Sequence, residues 1–259
     1  NGAGKSTLMK VLGGIYQPNG GAIYMGDEQV VMSGPLEAKA KGIVFIHQEL
    51  SLAAELTVAE NIYLGELPRK SFGRVDWARL HAQTDAILKR LRVGFTARSR
   101  VGDLSIANQQ MVEIARALSQ DVRVLVLDEP TLGLDIIFRK EFYGNLLNDY
   151  FNEERTIIIT THQVEEIENL LTDVMFINHG KVVLDSSMEA IPDNYIELLA
   201  TPENAAKAKH LKPIYAREVF GKQVLTFEGV ARDELADLGE VRTPDIADLF
   251  VAKVKGEAA

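Results

Sequence analysis

The chain begins with Asn1-Gly2-Ala3-Gly4-Lys5-Ser6-Thr7, which an apolar helical pattern follows. Gly2 and Gly4 have no side chain that would keep a phosphate away from inward-facing backbone N–H groups. Lys5 is expected to reach the β- and γ-phosphates of a nucleotide, and the Ser6 hydroxyl to bind magnesium. The N-terminus of the helix that follows adds the positive end of the helix dipole, which favours a bound phosphate. The stretch therefore predicts a phosphate-binding loop. The alternative, a glycine-rich turn before a helix, is disfavoured by the Gly-Lys-Ser-Thr core.

Loops of this kind read G-x-x-x-x-G-K-[ST], and here the motif is cut before its first glycine. The strand that feeds such a loop is also missing from the sequence. We therefore expect a fragment that lacks its N-terminal strands. Its loop would be less well pre-organised for phosphoryl transfer, with weak nucleotide binding and little turnover.

The composition restricts the classes of protein. Of the 259 residues, 46% are apolar and 25% are charged, which is typical of a globular protein. The formal net charge of -9 argues against nucleic acid as a partner, because phosphate backbones are bound by basic surfaces. Cysteine is absent, which excludes disulfides and thiolate metal sites. No apolar run approaches the ~20 residues that span a bilayer.

Strand and helix patterns alternate along the chain, which predicts an α/β fold with a mainly parallel core sheet. Ile43–Ile46 is an apolar predicted strand, and Val122–Leu127 is a nearly continuous apolar run typical of a strand buried on both faces. Thr57 and Glu60 form a capping box before one helix, and Asp76 caps a longer one through Leu91. Further predicted elements are a helix opening at Asp103, helices at Ile136–Phe151 and Val164–Leu171, a strand at Thr156–Thr160, and a hairpin of Val174–Asn178 with Lys181–Leu184.

The pattern between about residues 50 and 120 is helical and contains no strand, so we expect an inserted helical subdomain. From Pro192 onward, polar stretches separate one predicted strand, Gln223–Phe227, from two predicted helices, Asp233–Leu238 and Pro244–Val254. We therefore expect a main domain at 1–187 and a small C-terminal appendage at 188–259.

A second motif, Val124-Leu125-Val126-Leu127-Asp128-Glu129, is an apolar strand that ends in two carboxylates. In phosphate-loop enzymes the aspartate at such a strand end holds magnesium, and an adjacent glutamate can orient and partly deprotonate the attacking water. The alternative is a polar strand end beside a turn. The pairing with the Gly-Lys-Ser-Thr motif disfavours that alternative.

With these motifs the chain resembles the ATP-binding cassette (ABC) ATPases, the P-loop NTPase motor subunits of membrane transporters. The resemblance covers roughly residues 1–187, and the motifs follow the order of the family. Besides the phosphate-binding loop and the strand that ends in two carboxylates, four further motifs match the family. They are Gln48, the signature-like Leu104-Ser105-Ile106-Ala107-Asn108-Gln109-Gln110, Leu134-Asp135 and the switch histidine, His162.

The resemblance implies the cofactors ATP and Mg2+ and a set of site residues. Glu129 would orient water, His162 would contact the γ-phosphate, and Gln48 would touch magnesium and water. The implied magnesium ligands are Ser6, Gln48 and Asp128. Nucleotide contacts are implied for Asn1, Gly2, Ala3, Gly4, Lys5, Ser6, Thr7, Ser105, Ala107 and Asp135.

The signature departs from the Leu-Ser-Gly-Gly-Gln of the family, because Ile106 and Ala107 replace both glycines. In the family, the serine and the second glycine meet the γ-phosphate of ATP bound to the other subunit. Ser105 remains, but Ala107 adds a methyl group where the backbone should approach closely. We expect weakened rather than abolished closure of the dimer.

Two parts of the chain resemble different branches of the family. His47–Leu52, Leu56–Ile62 and Gln109–Ala115 resemble the first cassette of ribose- or galactose-type importers. The segments that resemble bacterial exporter cassettes are Thr131–Asp135, Thr160–Glu166 and Thr243–Phe250. The change falls near residues 119–127. A recombined or artificially joined sequence and an uncommon natural branch both stay open.

The resemblance implies an ATP-hydrolysing subunit that couples dimer closure to substrate movement, with sugar import as the expected transport. The alternatives are an exporter subunit, an inactive or binding-only fragment, and a soluble non-transport cassette. The implied partners are transmembrane permease subunits and a second cassette, without nucleic acid. The implied location is peripheral, at the cytoplasmic face of a bacterial inner membrane.

Overall fold

A computed structural model of the chain describes residues 3–47, 50–131, 139, 142–144, 146 and 155–256. The chain divides into two compact units, one of residues 6–162 and one of residues 163–259 with 1–5. The expected domain boundary after residue 187 stays a prediction. Within the described ranges, no helix is both long and apolar enough to cross a membrane.

A parallel three-stranded sheet lies at the centre of the first unit, in the order β3-β4-β5. These strands are β3 Ile43–Ile46, β4 Val124–Asp128 and β5 Thr156–Thr160. Leu125 of β4 lies opposite Val44 on one side and Ile157 on the other, and it is fully buried. The apolar run of β4 is therefore buried between neighbouring strands, and the predicted parallel core is confirmed.

Shorter elements cover this sheet. Helices α1 Lys5–Leu12 and α2 Pro35–Ala40 share a hydrophobic cluster with the sheet through Met9, Ala38 and Val126. The same cluster includes residues of a small antiparallel hairpin, β1 Ile23–Met25 and β2 Glu28–Val30. The predicted helix at Ile136–Phe151 falls mostly outside the described residues.

Residues 50–120 contain three α-helices, α3 Val58–Ile62, α4 Trp77–Arg90 and α5 Ile106–Leu118. The capping box of α3 is present: the Glu60 N–H donates to the Thr57 hydroxyl at 3.3 Å, and the Thr57 N–H donates to the Glu60 carboxylate at 2.9 Å. The helical spacing of Trp77 with Leu80 and Leu91 predicts a core position, but Trp77 is 48% exposed because it starts α4 beside an exposed loop.

The second unit contains the predicted hairpin of β6 Asp173–Asn178 and β7 Lys181–Ser187. Its turn residues, His179 and Gly180, both have positive φ, as a type I′ turn requires. The helix predicted at Val164–Leu171 is wrong: Val164–Glu166 and Glu168–Leu170 are separate 3-10 turns. Three glutamates at 165, 166 and 168 repel one another, and a helix this short is not stable on its own.

The C-terminal part is a four-stranded antiparallel sheet in the order β11-β8-β10-β9, of which we predicted only β10. Its elements are α6 Ile191–Asn194, β8 Tyr195–Ala200, α7 Pro202–Ala208, β9 Tyr215–Val219, β10 Lys222–Glu228, α8 Arg232–Leu235, β11 Glu240–Arg242 and α9 Ile246–Gly256. Alternate residues of β8 and β10, such as Leu198 and Leu225, pack with α7 and α8 in one cluster. A second cluster joins Phe176 and Leu184 of the β6–β7 hairpin to Tyr195 and to Ile246 of α9.

Candidate functional site

The carboxylate of Asp128 lies where β4 ends, at the carboxyl edge of the parallel sheet. The neighbouring strand β5 ends at the same level, since Asp128 is in register with Thr160. Thr160 is 7% exposed as a residue, and its hydroxyl donates a hydrogen bond to Oδ1 of Asp128. A buried neutral donor to one oxygen fixes the orientation of the carboxylate and leaves its other oxygen for a ligand.

Glu129 follows Asp128 in a left-handed backbone conformation, with φ of 48°. This conformation is unfavourable for a residue with a Cβ, and it persists only where the surroundings fix it. Here the Glu129 N–H donates to the carbonyl of Thr160 at 2.9 Å. The two consecutive carboxylates contact different side chains, Asp128 that of Thr160 and Glu129 that of His162.

His162 lies against the side chain of Glu129, with 2.9 Å between Nδ1 of the histidine and Oε2 of the glutamate. The Glu129 side chain is 17% exposed and that of His162 is 59% exposed. The pair therefore consists of a largely enclosed carboxylate and an imidazole that solvent or a ligand can reach. Such a carboxylate can accept a proton from water, and such an imidazole can contact a charged group.

A cavity of about 390 Å³ lies beside these strand ends within the first unit. Ser6 of α1 and Asp128 of β4 both line it, together with His47, Glu113 and Arg116. A hydroxyl and a carboxylate are hard oxygen donors of the kind that Mg2+ prefers. Within the described residues, no group of three or more His, Cys, Asp or Glu could hold a metal. One hydroxyl and one carboxylate, those of Ser6 and Asp128, suit an ion that completes its shell with phosphate oxygens and water.

The described part of the phosphate loop is held by the turn of the β6–β7 hairpin. The Ala3 carbonyl accepts a hydrogen bond from the Gly180 N–H at 2.8 Å. Gly4 has φ of 100°, and a Cβ at this position would lie 3.2 Å from Cα of Gly180. Both features require glycine at position 4. Lys5 then begins α1, and Thr7 is exposed.

Ser105 and Ala107 lie at the beginning of α5 and do not line the cavity. The Ser105 hydroxyl caps this helix by accepting from the Asn108 N–H at 3.3 Å. Ser105 is exposed, and the neighbouring Ile106 is 66% exposed. The start of α5 is therefore accessible to another molecule.

The other predicted site residues, Asn1, Gly2, Gln48 and Asp135, lie outside the described residues. Two contributors were missed by the sequence analysis. Thr160 gives no signal beyond ending a β-branched strand, and Gly180 gives none beyond lying between the two strands of a predicted hairpin. Their roles depend on contacts between distant segments, which no local pattern encodes.

Comparison with known proteins agrees with this geometry. The sequence model of the ABC transporter family matches residues 1–132. A similar solved structure is cbiO1 from Clostridium perfringens, part of the ABC transporter complex cbiONQ. It is 26% identical with a TM-score of 0.64, over 74% of this chain and 75% of that one.

Two further structures share the fold at lower identity. The ADP conformation of MJ1267, an ATP-binding cassette of an ABC transporter, is 24% identical with a TM-score of 0.63, over 74% of this chain and 80% of that one. The dimeric post-hydrolysis state of the cassette MJ0796, bound to ADP and Pi, is 24% identical with a TM-score of 0.59, over 72% and 81%. The P-loop NTPase fold is thus that of ABC cassettes, and the chain belongs to the ABC transporter family as an ATP-binding, ATP-hydrolysing subunit.

Proposed function

We propose that this subunit hydrolyses MgATP at the end of β4 and couples the reaction to sugar import through permease subunits. One observation carries the catalytic part of the proposal: Ser6 and Asp128 line the same cavity, while the next residue, Glu129, contacts His162. Two consecutive carboxylates thus have separate neighbours, as binding a metal and activating water require.

The residues of the phosphate loop, Asn1–Thr7, would bind the phosphates through backbone N–H groups, with Lys5 as the cation. Ser6, Gln48 and Asp128 would hold Mg2+, which when bound neutralises charge on the β- and γ-phosphates. Thr160 keeps the carboxylate of Asp128 oriented toward this role. Catalysis on the protein side is then positioning and charge stabilisation.

Glu129 would accept the proton of the attacking water, and His162 would steady the γ-phosphate. The 2.9 Å contact between the two side chains limits the positions that both can take. Gln48 would complete the arrangement from the segment after β3.

The proposal includes a dimer of cassettes. Ser105 and Ala107 would meet the γ-phosphate of ATP bound to the other chain, and Asp135 would lie near the dimer interface. The accessible start of α5 suits this role, and the dimeric state of MJ0796 is a precedent for the assembly. Ile106 and Ala107 would weaken the closed dimer, because their side chains occupy space where the backbone would approach the γ-phosphate.

Sugar import follows from the importer-like segments at 47–62 and 109–115. The exporter-like segments Thr160–Glu166 and Thr243–Phe250 favour the second candidate, an exporter subunit. We place either complex at the cytoplasmic face of a bacterial inner membrane, with the cassette peripheral to the permease. The neighbouring genes discriminate the two: a sugar-binding protein supports import, and a lone permease supports export.

The catalytic assignment is tested by Glu129→Gln, which keeps the shape of the side chain and removes the base. ATP should still bind, while hydrolysis should fall about 100-fold or more. With a family-like upstream strand and first glycine added to the phosphate loop, dimers that form only with ATP should then accumulate, as measured by light scattering. Glu165→Gln makes the same chemical change at an exposed glutamate outside the site and should have no effect. Parental turnover by Glu129→Gln would exclude Glu129 as the base.

A further inference from the structure

Residues 69–74 form an exposed loop between α3 and α4, which we call the basic loop. Its base is closed by an isolated antiparallel bridge between Arg69 and Val75. The Lys70 N–H donates to the Arg74 carbonyl at 2.7 Å, and the Gly73 N–H donates to the Lys70 carbonyl at 3.2 Å. These bonds hold the loop in a defined conformation with Phe72 at its tip.

Phe72 contributes nothing to the packing of the chain. Its side chain is 101% exposed, and its backbone is left-handed, with φ of 69° and ψ of 20°. A bulky residue is unfavourable in this conformation, where glycine or asparagine would fit better. The ring of Phe72 is therefore fully available for a contact outside this chain.

The charge around Phe72 is opposite to that of the whole chain. Arg69, Lys70 and Arg74 are all exposed, whereas the net charge of the chain is -9. The nearest acidic residue in sequence, Asp76, caps α4 by accepting from the Arg79 N–H at 3.2 Å, and lies 3.8 Å from Lys70. The basic loop therefore presents three cations and one apolar ring together.

We propose that the basic loop binds an anionic lipid surface, with the cations on lipid phosphates and the ring of Phe72 in the interface. Lys and Arg side chains are attracted to anionic lipid headgroups, and amphipathic or apolar side chains can enter the interfacial layer beside them. All six residues of the basic loop are exposed, and a lipid interface can admit a single side chain without a matching pocket. The inference rests on the membrane location proposed above, but neither on the cargo nor on the catalytic residues.

The test measures binding of the full chain to protein-free vesicles of phosphatidylcholine, with and without phosphatidylglycerol. Co-sedimentation should occur only with the anionic vesicles and should decrease as salt is added. Trp77, the only tryptophan of the chain, follows the basic loop at the start of α4. Its emission should shift to shorter wavelength when the loop binds.

Two variants separate the two contributions. Changing Arg69, Lys70 and Arg74 together to glutamine should weaken binding about 100-fold, from roughly fivefold for each cation. Phe72→Asn should weaken it about tenfold through the lost apolar contact. Asparagine tolerates positive φ, so this variant should fold at least as stably as the parent.

The chain offers a matched control in Phe220, which is 103% exposed, has φ of 48° and precedes a glycine in the turn between β9 and β10. Phe220→Asn should leave vesicle binding unchanged. Equal losses from Phe72→Asn and Phe220→Asn would overturn the proposal, as would equal binding to neutral vesicles. Binding only to membranes that contain permease subunits would overturn it in favour of a protein partner. ATP turnover in solution is measured in parallel, so that a failure of vesicle binding can be distinguished from a failure of the proposed catalysis.

Discussion

Replacing Thr160 with valine tests the hydrogen bond that orients Asp128. Valine keeps the shape of the buried side chain and removes the donor to the carboxylate. A hydrogen bond to a charged group contributes about 1.5–3 kcal/mol, and water can replace part of it at the half-buried Asp128. We expect the free energy of unfolding to fall by about 1.5 kcal/mol, which lowers the Tm by about 3–6 °C.

The same change should loosen the proposed magnesium site. Removing a group that orients a metal ligand typically weakens metal binding about 10–100-fold. ATP turnover measured against the concentration of Mg2+ should therefore need about tenfold more Mg2+ for half-maximal rate.

Thr156→Val is the control, because Thr156 is exposed at the other end of the same strand. It should change neither the Tm nor the dependence on Mg2+. If Thr160→Val also melts at the parental temperature with an unchanged Mg2+ midpoint, then the hydrogen bond has neither role and the reasoning is refuted.

Three further predictions concern the loop, a cap and a turn. Lys5→Ala should weaken ATP binding by at least about 2 kcal/mol in calorimetric titration, and an unchanged affinity would remove Lys5 from the site. Thr57→Ala should cost about 1 kcal/mol in urea unfolding at pH 7. Hydrogen bonds from Thr57 lower the pKa of Glu60, so this contribution is present above the ordinary carboxyl pKa and is lost as pH falls through the lowered one. The difference between variant and parent should therefore shrink in acid, and a constant difference would contradict the cap. Gly14→Ala should destabilise by at least about 1 kcal/mol, because φ is 69° and the new Cβ would lie 2.7 Å from the carbonyl oxygen of Gly34; a parental Tm would contradict this clash.

Local signals explain where sequence reasoning succeeded. The buried strand β4 is encoded by a continuous apolar run, and the start of α3 by the side chains of Thr57 and Glu60. The turn at His179-Gly180 is encoded by the conformations that these two residues tolerate. In each case the interaction is complete within a few residues, so the pattern and the structure agree.

Long-range contacts explain where it failed. β8 contains the buried Glu197, which interrupts an apolar pattern and pairs with Arg217 and Arg242 from two other strands. β9 alternates between half-buried and exposed positions and forms only by pairing with β10. Neither strand has a local signature, because what stabilises each one is contributed by segments far away in sequence.

The hydrophobic cluster of the second unit has a consequence for how such chains can evolve. It holds Phe176 and Leu184 of the β6–β7 hairpin together with Tyr195 and Ile246 from beyond residue 187. The turn of that hairpin also supplies the Gly180 N–H that binds the carbonyl of Ala3. Densely packed interiors tolerate little change in shape, so a foreign tail would disturb the hairpin and, through it, the phosphate loop. The hairpin and the tail should therefore be inherited as one module, and exchanges between cassettes should survive at crossover points before residue 173 rather than after residue 187.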